Sequence, residues 1–223
     1  EAAPAKSYLN QEKILETILS SGADAIHPGY GFLSENSDFA TTCEKNNINF
    51  IGPSGKSMDL CGDKMQCKAA MLKAKVPTVP GSPGLVKDVE EALKIANDID
   101  YPVMLKSVYG GGGRGIRIVT NDKELREGFE TVTSESISAV GKSAIIVEKF
   151  LEKTRHIEYQ MCRDKHGNAV HIFERECSIQ RRNQKLIEQT PSPVVDQETR
   201  DRVGELVVKA SEAVDYTNLG TAE

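Results

Sequence analysis

The sequence predicts an α/β fold with a mixed α+β second half, on three observations. Short apolar runs alternate with amphipathic segments over residues 10–72, the pattern of a parallel sheet with crossover helices. A stretch rich in Pro and Gly at 76–85 has neither helical nor strand period and reads as a domain boundary. Beyond residue 155, polar and apolar residues alternate on either side of a Gly167-Asn168 turn, as in an antiparallel hairpin with one polar face.

The elements follow in order. Asn10 caps a helix whose apolar face is Ile14, Leu15, Ile18 and Leu19, and Gly22 stops it. A strand at 23–26 breaks at the loop HPGYG (27–31). A helix over 37–45 and a strand at 48–51 come next. Asp63 caps a helix with Met65, Ala69 and Leu72 on one face. Asp88 and Glu91 form a capping box for a helix through Asn97. An apolar strand at 102–106 ends in Lys106. Glycines follow, then a strand at 116–119, a helix over Leu125, Phe129 and Val132, and a strand at 145–149. In the hairpin, Ile157, Tyr159 and Met161 share one face, and His156, Glu158, Gln160 and Cys162 the other. The charged segment 180–189 has no assigned element. Val203, Val207, Ala210 and Val214 mark a last helix, and an apparent strand begins at the C-terminus.

The 223 residues allow one large or two small domains, and 39% apolar and 27% charged residues are ordinary for a soluble globular protein. A net charge of −5 argues against nucleic acid as a partner. No apolar run is long enough to span a membrane, and no signal peptide is read at 1–6. Five cysteines without a C-x-x-C pair read as free thiols in a reducing compartment.

The run SVYGGGGRGIRIV (107–119) carries the chemistry. Gly110, Gly112 and Gly115 satisfy G-x-G-x-x-G, but a dinucleotide-binding turn needs its last glycine to open a helix. Here Ile116-Arg117-Ile118-Val119 opens a strand. The kinase pattern fails as well, since no H-R-D or D-F-G follows. What remains is a flap between strands whose bare N–H groups close over phosphate oxygens, with Arg114 and Arg117 adding charge. The plain alternative is a flexible hairpin loop. Lys106 before the flap and Glu148-Lys149 at the next strand end fit an adenine-and-phosphate cleft, with Glu148 accepting from an adenine amine.

Seven segments then make the chain recognisable: HPGYGFLSEN (27–36), FIGPS (50–54), GDK (62–64), GGGGRGIR (110–117), EKFLE (148–152), RHIEYQ (155–160) and ERECSIQRRNQK (174–185). Together and in this order they resemble biotin carboxylase, the ATP-grasp component of biotin-dependent carboxylases. The resemblance covers nearly the whole chain. It implies a truncated N-terminal pre-ATP-grasp subdomain at 1–78, a mobile ATP-grasp lid at 79–151, and the start of the C-terminal subdomain at 152–223. It also implies that the chain is part of a longer protein, whose E-x-N-x-R-x-Q-V-E segment would lie beyond it, so that the chain binds ATP but lacks part of the active site.

By the same resemblance, Lys64 and Lys106 bind ATP phosphates and Gly112 and Gly113 close over them. Glu148, Lys149, Phe150 and Leu151 hold adenine, His156 reaches the phosphates, and Gln180 and Asn183 also contact the nucleotide, Asn183 on its ribose side. Lys185 is the catalytic residue, binding bicarbonate and the γ-phosphate. Glu223 is one of two carboxylates for Mg²⁺ or Mn²⁺. The implied reaction is attack of bicarbonate on the γ-phosphorus of ATP to give carboxyphosphate, followed by capture of CO₂ on biotin borne by a carrier protein. Implied partners are that carrier, a carboxyltransferase and a second copy of the chain. The implied compartment is the cytoplasm, or a mitochondrion or plastid. His27 and His166 are read as structural and solvated. Lys75 and Asp100 stand where relatives often carry glycine, so left-handed geometry there would cost about 1 kcal/mol each. The competing readings are another ATP-grasp ligase, such as a carbamoyl phosphate synthetase half, and a nucleotide-binding module without turnover.

Overall fold

The computed structural model describes residues 3–108, 115–141, 143–182 and 184–223. The chain forms two compact units, one of Glu1–Val76 with Arg155–Glu223 and one of Pro77–Thr154.

The first unit opens with a 3₁₀ turn at Pro4–Lys6 and α1 (Gln11–Ser21). Asn10 caps α1 by accepting from the Lys13 N–H, and Gly22 ends it at φ 70°. β1 (Ala25–Ile26) and β2 (Asn49–Phe50) pair in parallel, with α2 (Ser37–Lys45) in the crossover. Ile18, Phe39, Ala40, Cys43, Ile48 and Phe50 form the core here. A helix that the sequence reading passed over, α3 (Gly55–Gly62), starts at Ser54, whose hydroxyl accepts from the Ser57 N–H. Its terminal glycines disguise it. α4 (Lys64–Lys73) follows at once, capped by Asp63. No α4 residue is buried, so the expected face of Met65, Ala69 and Leu72 carries no core.

The second unit begins with α5 (Val89–Ile99), capped by Asp88. β3 (Val103–Ser107), β4 (Ile116–Val119) and β5 (Ile145–Lys149) form an antiparallel sheet in the order β4-β3-β5, and α6 (Asp122–Val140) links β4 to β5. On β3 the residues alternate between faces. Val103, Leu105 and Ser107 are buried, and Val103 and Leu105 pack in the core with Leu125, Val132, Ile145 and Val147. Truncating a residue such as Leu105 in this core costs about 2–5 kcal/mol. Met104 and Lys106 occupy the opposite face.

The chain then returns to the first unit. β6 (Ile157–Arg163), β7 (Ala169–Arg181), β8 (Gln184–Gln189) and β9 (Asn218–Ala222) form an antiparallel sheet in the order β8-β7-β6-β9. α7 (Gln197–Ala213) packs on the face of Tyr159 and Met161 through Val203 and Val207. Fully buried Glu174 on β7 accepts a forked pair of bonds from Arg200 of α7, and its Oε1 also takes the Ser192 N–H at 3.0 Å. β8 is almost wholly exposed, so its ladder with β7, not apolar burial, holds it. This is why the charged segment gave no strand signal.

Candidate functional site

In the second unit, Lys106 and Glu148 share a face because β3 and β5 pair Met104 with Glu148 and Lys106 with Ile146. The Lys106 ammonium lies 2.6 Å from Glu148 Oε2, both side chains being partly exposed. Two residues expected to serve different parts of one nucleotide are therefore in direct contact. Lys149 turns the other way: its ammonium donates to the carbonyls of Asp100 and Tyr101 at 2.9 and 3.0 Å. The Lys149 and Phe150 N–H groups donate to Pro80 and Pro102. Leu151, half exposed, lies just past these bonds.

Gly112, Gly113, Arg114 and Asn183 lie outside the described residues. Gly115, with φ 72°, donates its N–H to Glu135 on α6 at 3.0 Å. Glu135 also takes the Arg117 guanidinium at 2.6 Å, and Arg117 donates back to its neighbour's carbonyl, that of Ile116. The charge expected to serve phosphate is thus compensated within the unit: Arg117 ties β4 to α6.

In the first unit, the polar face of the β8-β7-β6-β9 sheet gathers a charged cluster around Glu158. This carboxylate is buried, its side chain only 3% exposed. One oxygen accepts from Arg175 at 2.7 Å and the other from the Lys185 ammonium. Lys185 also donates to Glu223 at 2.7 Å. Arg175 continues to Gln160 at 2.9 Å and Thr221 at 3.3 Å. His156 Nε2 stands 3.3 Å from Glu223 and 3.7 Å from Glu158. His156 itself is set by its N–H donating to the Ser178 hydroxyl. Gln180 is paired with Lys185 across the ladder, but its amide donates to the Cys177 carbonyl.

The electrostatics follow from these contacts. Burial alone would raise the pKa of Glu158, but hydrogen bonds from Lys185 and then Arg175 outweigh it and hold the carboxyl well below the usual range. The bonds from Lys185 to Glu158 and then Glu223 push the lysine pKa up, so its ammonium stays charged across the physiological range. It can bind and orient an anion but cannot act as a base.

Lys64 takes the first position of α4, exposed, and forms no ion pair among the described residues. Glu158 and Arg175 were absent from the candidates. Their signal was present in the polar face of HIEYQ, but only the register across β6, β7 and β8 brings Glu158, Arg175 and Lys185 together.

Among the described residues, two groups of donors come within 4.8 Å of one another, His156 with Glu158 and Glu223, and Glu158 with Cys177 and Glu188. A small hard cation prefers carboxylate oxygen, and a thiol suits it poorly. Both Glu158 oxygens already accept from cationic donors. Glu223 is 55% exposed and gives one oxygen to Lys185, which leaves it the carboxylate best suited to turn to a cation.

Comparison with known proteins matches residues 1–58 to the biotin carboxylase N-terminal domain and residues 63–223 to the ATP-binding domain of the carbamoyl-phosphate synthase L chain. The chain belongs to the biotin carboxylase family. Within it, the chain is 52% identical over 220 residues to the 2-oxoglutarate carboxylase small subunit of Hydrogenobacter thermophilus, covering 99% of this chain and 47% of that protein. It is 50% identical over 223 residues to the biotin carboxylase of Nostoc, covering all of this chain and 50% of that one. Among solved structures it resembles the biotin carboxylase domain dimer of the Hydrogenobacter thermophilus 2-oxoglutarate carboxylase in complex with MgADP, ADP and bicarbonate, with TM-score 0.80 and 51% identity over 99% of this chain and 49% of that one. The chain spans about half the length of these relatives. Its fold is that of the ATP-grasp biotin carboxylases. Among the described residues, no helix is long and apolar enough to cross a membrane.

Proposed function

We propose that this protein carboxylates biotin on a carrier, using ATP and bicarbonate, as a component of an acyl-CoA or pyruvate carboxylase. The Glu158-centred cluster carries the reading. Lys185 is a permanently charged donor held at a fixed place by a buried counter-ion, which is what binding bicarbonate and a γ-phosphate requires. When bicarbonate attacks the γ-phosphorus, charge grows on phosphoryl oxygens, and Lys185 and His156 stand where they stabilise it. Lys106, Lys64 and the N–H groups of Gly112 and Gly113 hold the phosphates. Glu148 to Leu151 hold adenine, with the Leu151 N–H toward the purine edge, and Gln180 and Asn183 contribute on the same nucleotide. Glu223 offers its carboxylate to Mg²⁺, which supplies charge neutralisation of the phosphates when bound.

In this reading residues 79–151 act as a lid over 1–78 and 152–223, keeping water from carboxyphosphate. A carrier, a carboxyltransferase and a second copy of the chain are the partners, in the cytoplasm or a mitochondrion or plastid. The test is ATP hydrolysis by the full-length protein with and without bicarbonate and free biotin. Hydrolysis that needs bicarbonate and is lost in Lys185→Ala supports the reading. Hydrolysis indifferent to bicarbonate, or unaffected by Lys185→Ala, overturns it.

A further inference from the structure

Glu176 on β7 is a carboxylate that the proposed reaction does not use, although its side chain is only 10% exposed. Both of its oxygens are engaged. Oε1 accepts from the Ser178 hydroxyl, and Oε2 accepts from the Ser192 hydroxyl at 3.1 Å. Arg155 Nη1 lies 3.6 Å from Oε2. The bond from Ser178, then the bond from Ser192 and the Arg155 charge, outweigh burial and hold the carboxyl below the usual glutamate range.

A serine hydroxyl has one proton, and at Ser178 the proton goes to Glu176. Its lone pairs are thereby turned to other donors, and the His156 N–H donates to them at 2.8 Å. This bond replaces one that the sheet ladder would have made. The Ile157–Glu176 pairing sets His156 opposite Cys177, whose N–H donates to the His156 carbonyl at 2.8 Å. In a regular antiparallel pair the return bond runs from the His156 N–H to the Cys177 carbonyl. That carbonyl instead takes the Gln180 side-chain amide at 2.9 Å, at the register shift between Glu176 and Ile179, and Ser178 receives the histidine. Both backbone polar groups of His156 are thus fastened to β7, just before β6 begins. Its ring Nε2 is shielded from solvent, forms no hydrogen bond among the described residues, and faces Glu223 and Glu158 at 3.3 and 3.7 Å.

We propose that Glu176, acting through Ser178, is a positioning residue for His156. The carboxylate fixes the serine hydroxyl, the hydroxyl fixes the backbone at His156, and the backbone sets where the imidazole stands beside Glu158 and Glu223. The consequence rests on the proposed function, in which His156 stabilises charge that grows on the phosphoryl oxygens. An interaction made mainly in the transition state is lost from kcat rather than from KM. A carboxylate that only braced the segment at 190–194 through Ser192 would change stability and leave the histidine's contribution intact.

The experiment uses the full-length protein with selectively labelled histidine. It measures bicarbonate-dependent ATP hydrolysis, a melting curve, and the imidazole NMR signal of His156, assigned by its loss in His156→Ala. Ser178→Ala is expected to lower kcat about ten-fold, with KM for ATP within about two-fold, because a small misplacement of a catalytic group costs on that order. Ser178→Thr keeps the hydroxyl at an exposed strand position and should restore kcat. In the His156→Ala background, Ser178→Ala and Glu176→Ala should have little further effect on kcat, since residues that act through one group are not additive. The imidazole signal should move in both single variants. Should Glu176→Ala fail to fold, Ser178→Ala carries the test alone. Losses in kcat that multiply with that of His156→Ala, or an imidazole signal that does not move, overturn the proposal. A wild type without bicarbonate-dependent hydrolysis fails the functional reading; the imidazole signal of Ser178→Ala then decides the positioning, a shift supporting it and no shift overturning it.

Discussion

Glu158→Gln isolates the charge at the centre of the polar cluster while keeping its shape. In the native protein this buried carboxylate accepts from Arg175 and Lys185. A hydrogen bond to a charged partner contributes about 1.5–3 kcal/mol, and breaking a fully buried ion pair costs about 3–5 kcal/mol. Here the cations keep other partners: Lys185 retains Glu223, and Arg175 retains Gln160. Lys185 and Arg175 are 28% and 27% exposed, so water takes up part of the loss. The expected destabilisation is therefore about 2–3 kcal/mol at pH 7. The sign of the pH dependence follows from the depressed pKa of Glu158. A carboxyl held lower in the folded state than in the unfolded one adds stability above its unfolded pKa, and that stability is lost as pH falls through the folded value. The gap between wild type and variant should be constant above about pH 5 and narrow by about 1.4 kcal/mol per pH unit below the ordinary glutamate range. Urea unfolding of both proteins at pH 7, 5, 4 and 3.5 measures it. A variant as stable as wild type at pH 7, or a gap unchanged at pH 3.5, would refute the assignment of Glu158 as the ionised anchor of Lys185 and Arg175.

Three further outcomes are expected. Lys106→Ala should raise KM for ATP about ten-fold or more, as loss of a charge-assisted phosphate contact implies, with the thermal midpoint nearly unmoved; steady-state ATPase kinetics beside a melting curve read both. Arg117→Ala should leave KM for ATP within three-fold and cost up to about 1 kcal/mol in stability, since its charge serves Glu135 and both side chains are well exposed; a large rise in KM would return Arg117 to the phosphates. Asp100→Gly should stabilise the protein by about 1 kcal/mol in urea, because Asp100 adopts φ 61° and ψ 150°, a region that glycine alone occupies without strain; equal or lower stability would show that the site is relaxed.

Much of the scaffold could be read from the sequence because its signals are local. Asn10, Asp63 and Asp88 each accept from helix N–H groups, as their positions before amphipathic runs imply. Residues 116–119 form a strand beside β3, as their apolar spacing requires, and this removes the dinucleotide reading. Lys75 and Asp100 do have positive φ, but Asp100, at ψ 150°, lies outside the left-handed helical region that was expected. The failures are non-local. β8 is held by pairing with β7, which no pattern within residues 184–189 encodes. Alternation placed Glu158 on a polar face but could not show which polar residues converge there. That depends on register shifts between Tyr159 and Met161, and between Glu176 and Gln180. An irregular ladder is invisible to a two-residue period.

The two carboxylates on Lys185 have different consequences for an incoming anion. Glu158 is buried and doubly bound to cations, so removing it from Lys185 would strand a charge at low dielectric. Glu223 is 55% exposed, and its ion pair with Lys185 is a partly solvated one. If Lys185 binds an anion as proposed, the partner given up at smaller cost is Glu223, with Glu158 left in place. The Glu223 carboxylate would then be available to a cation that accompanies the anion. In the proposed reading, occupation of Lys185 by a phosphate or bicarbonate oxygen and capture of a divalent ion by Glu223 would favour each other, through one exchange of partners. This fits the proposed use of an anionic substrate together with a metal-bound nucleotide, and it assigns the buried glutamate the fixed role and the exposed one the mobile role.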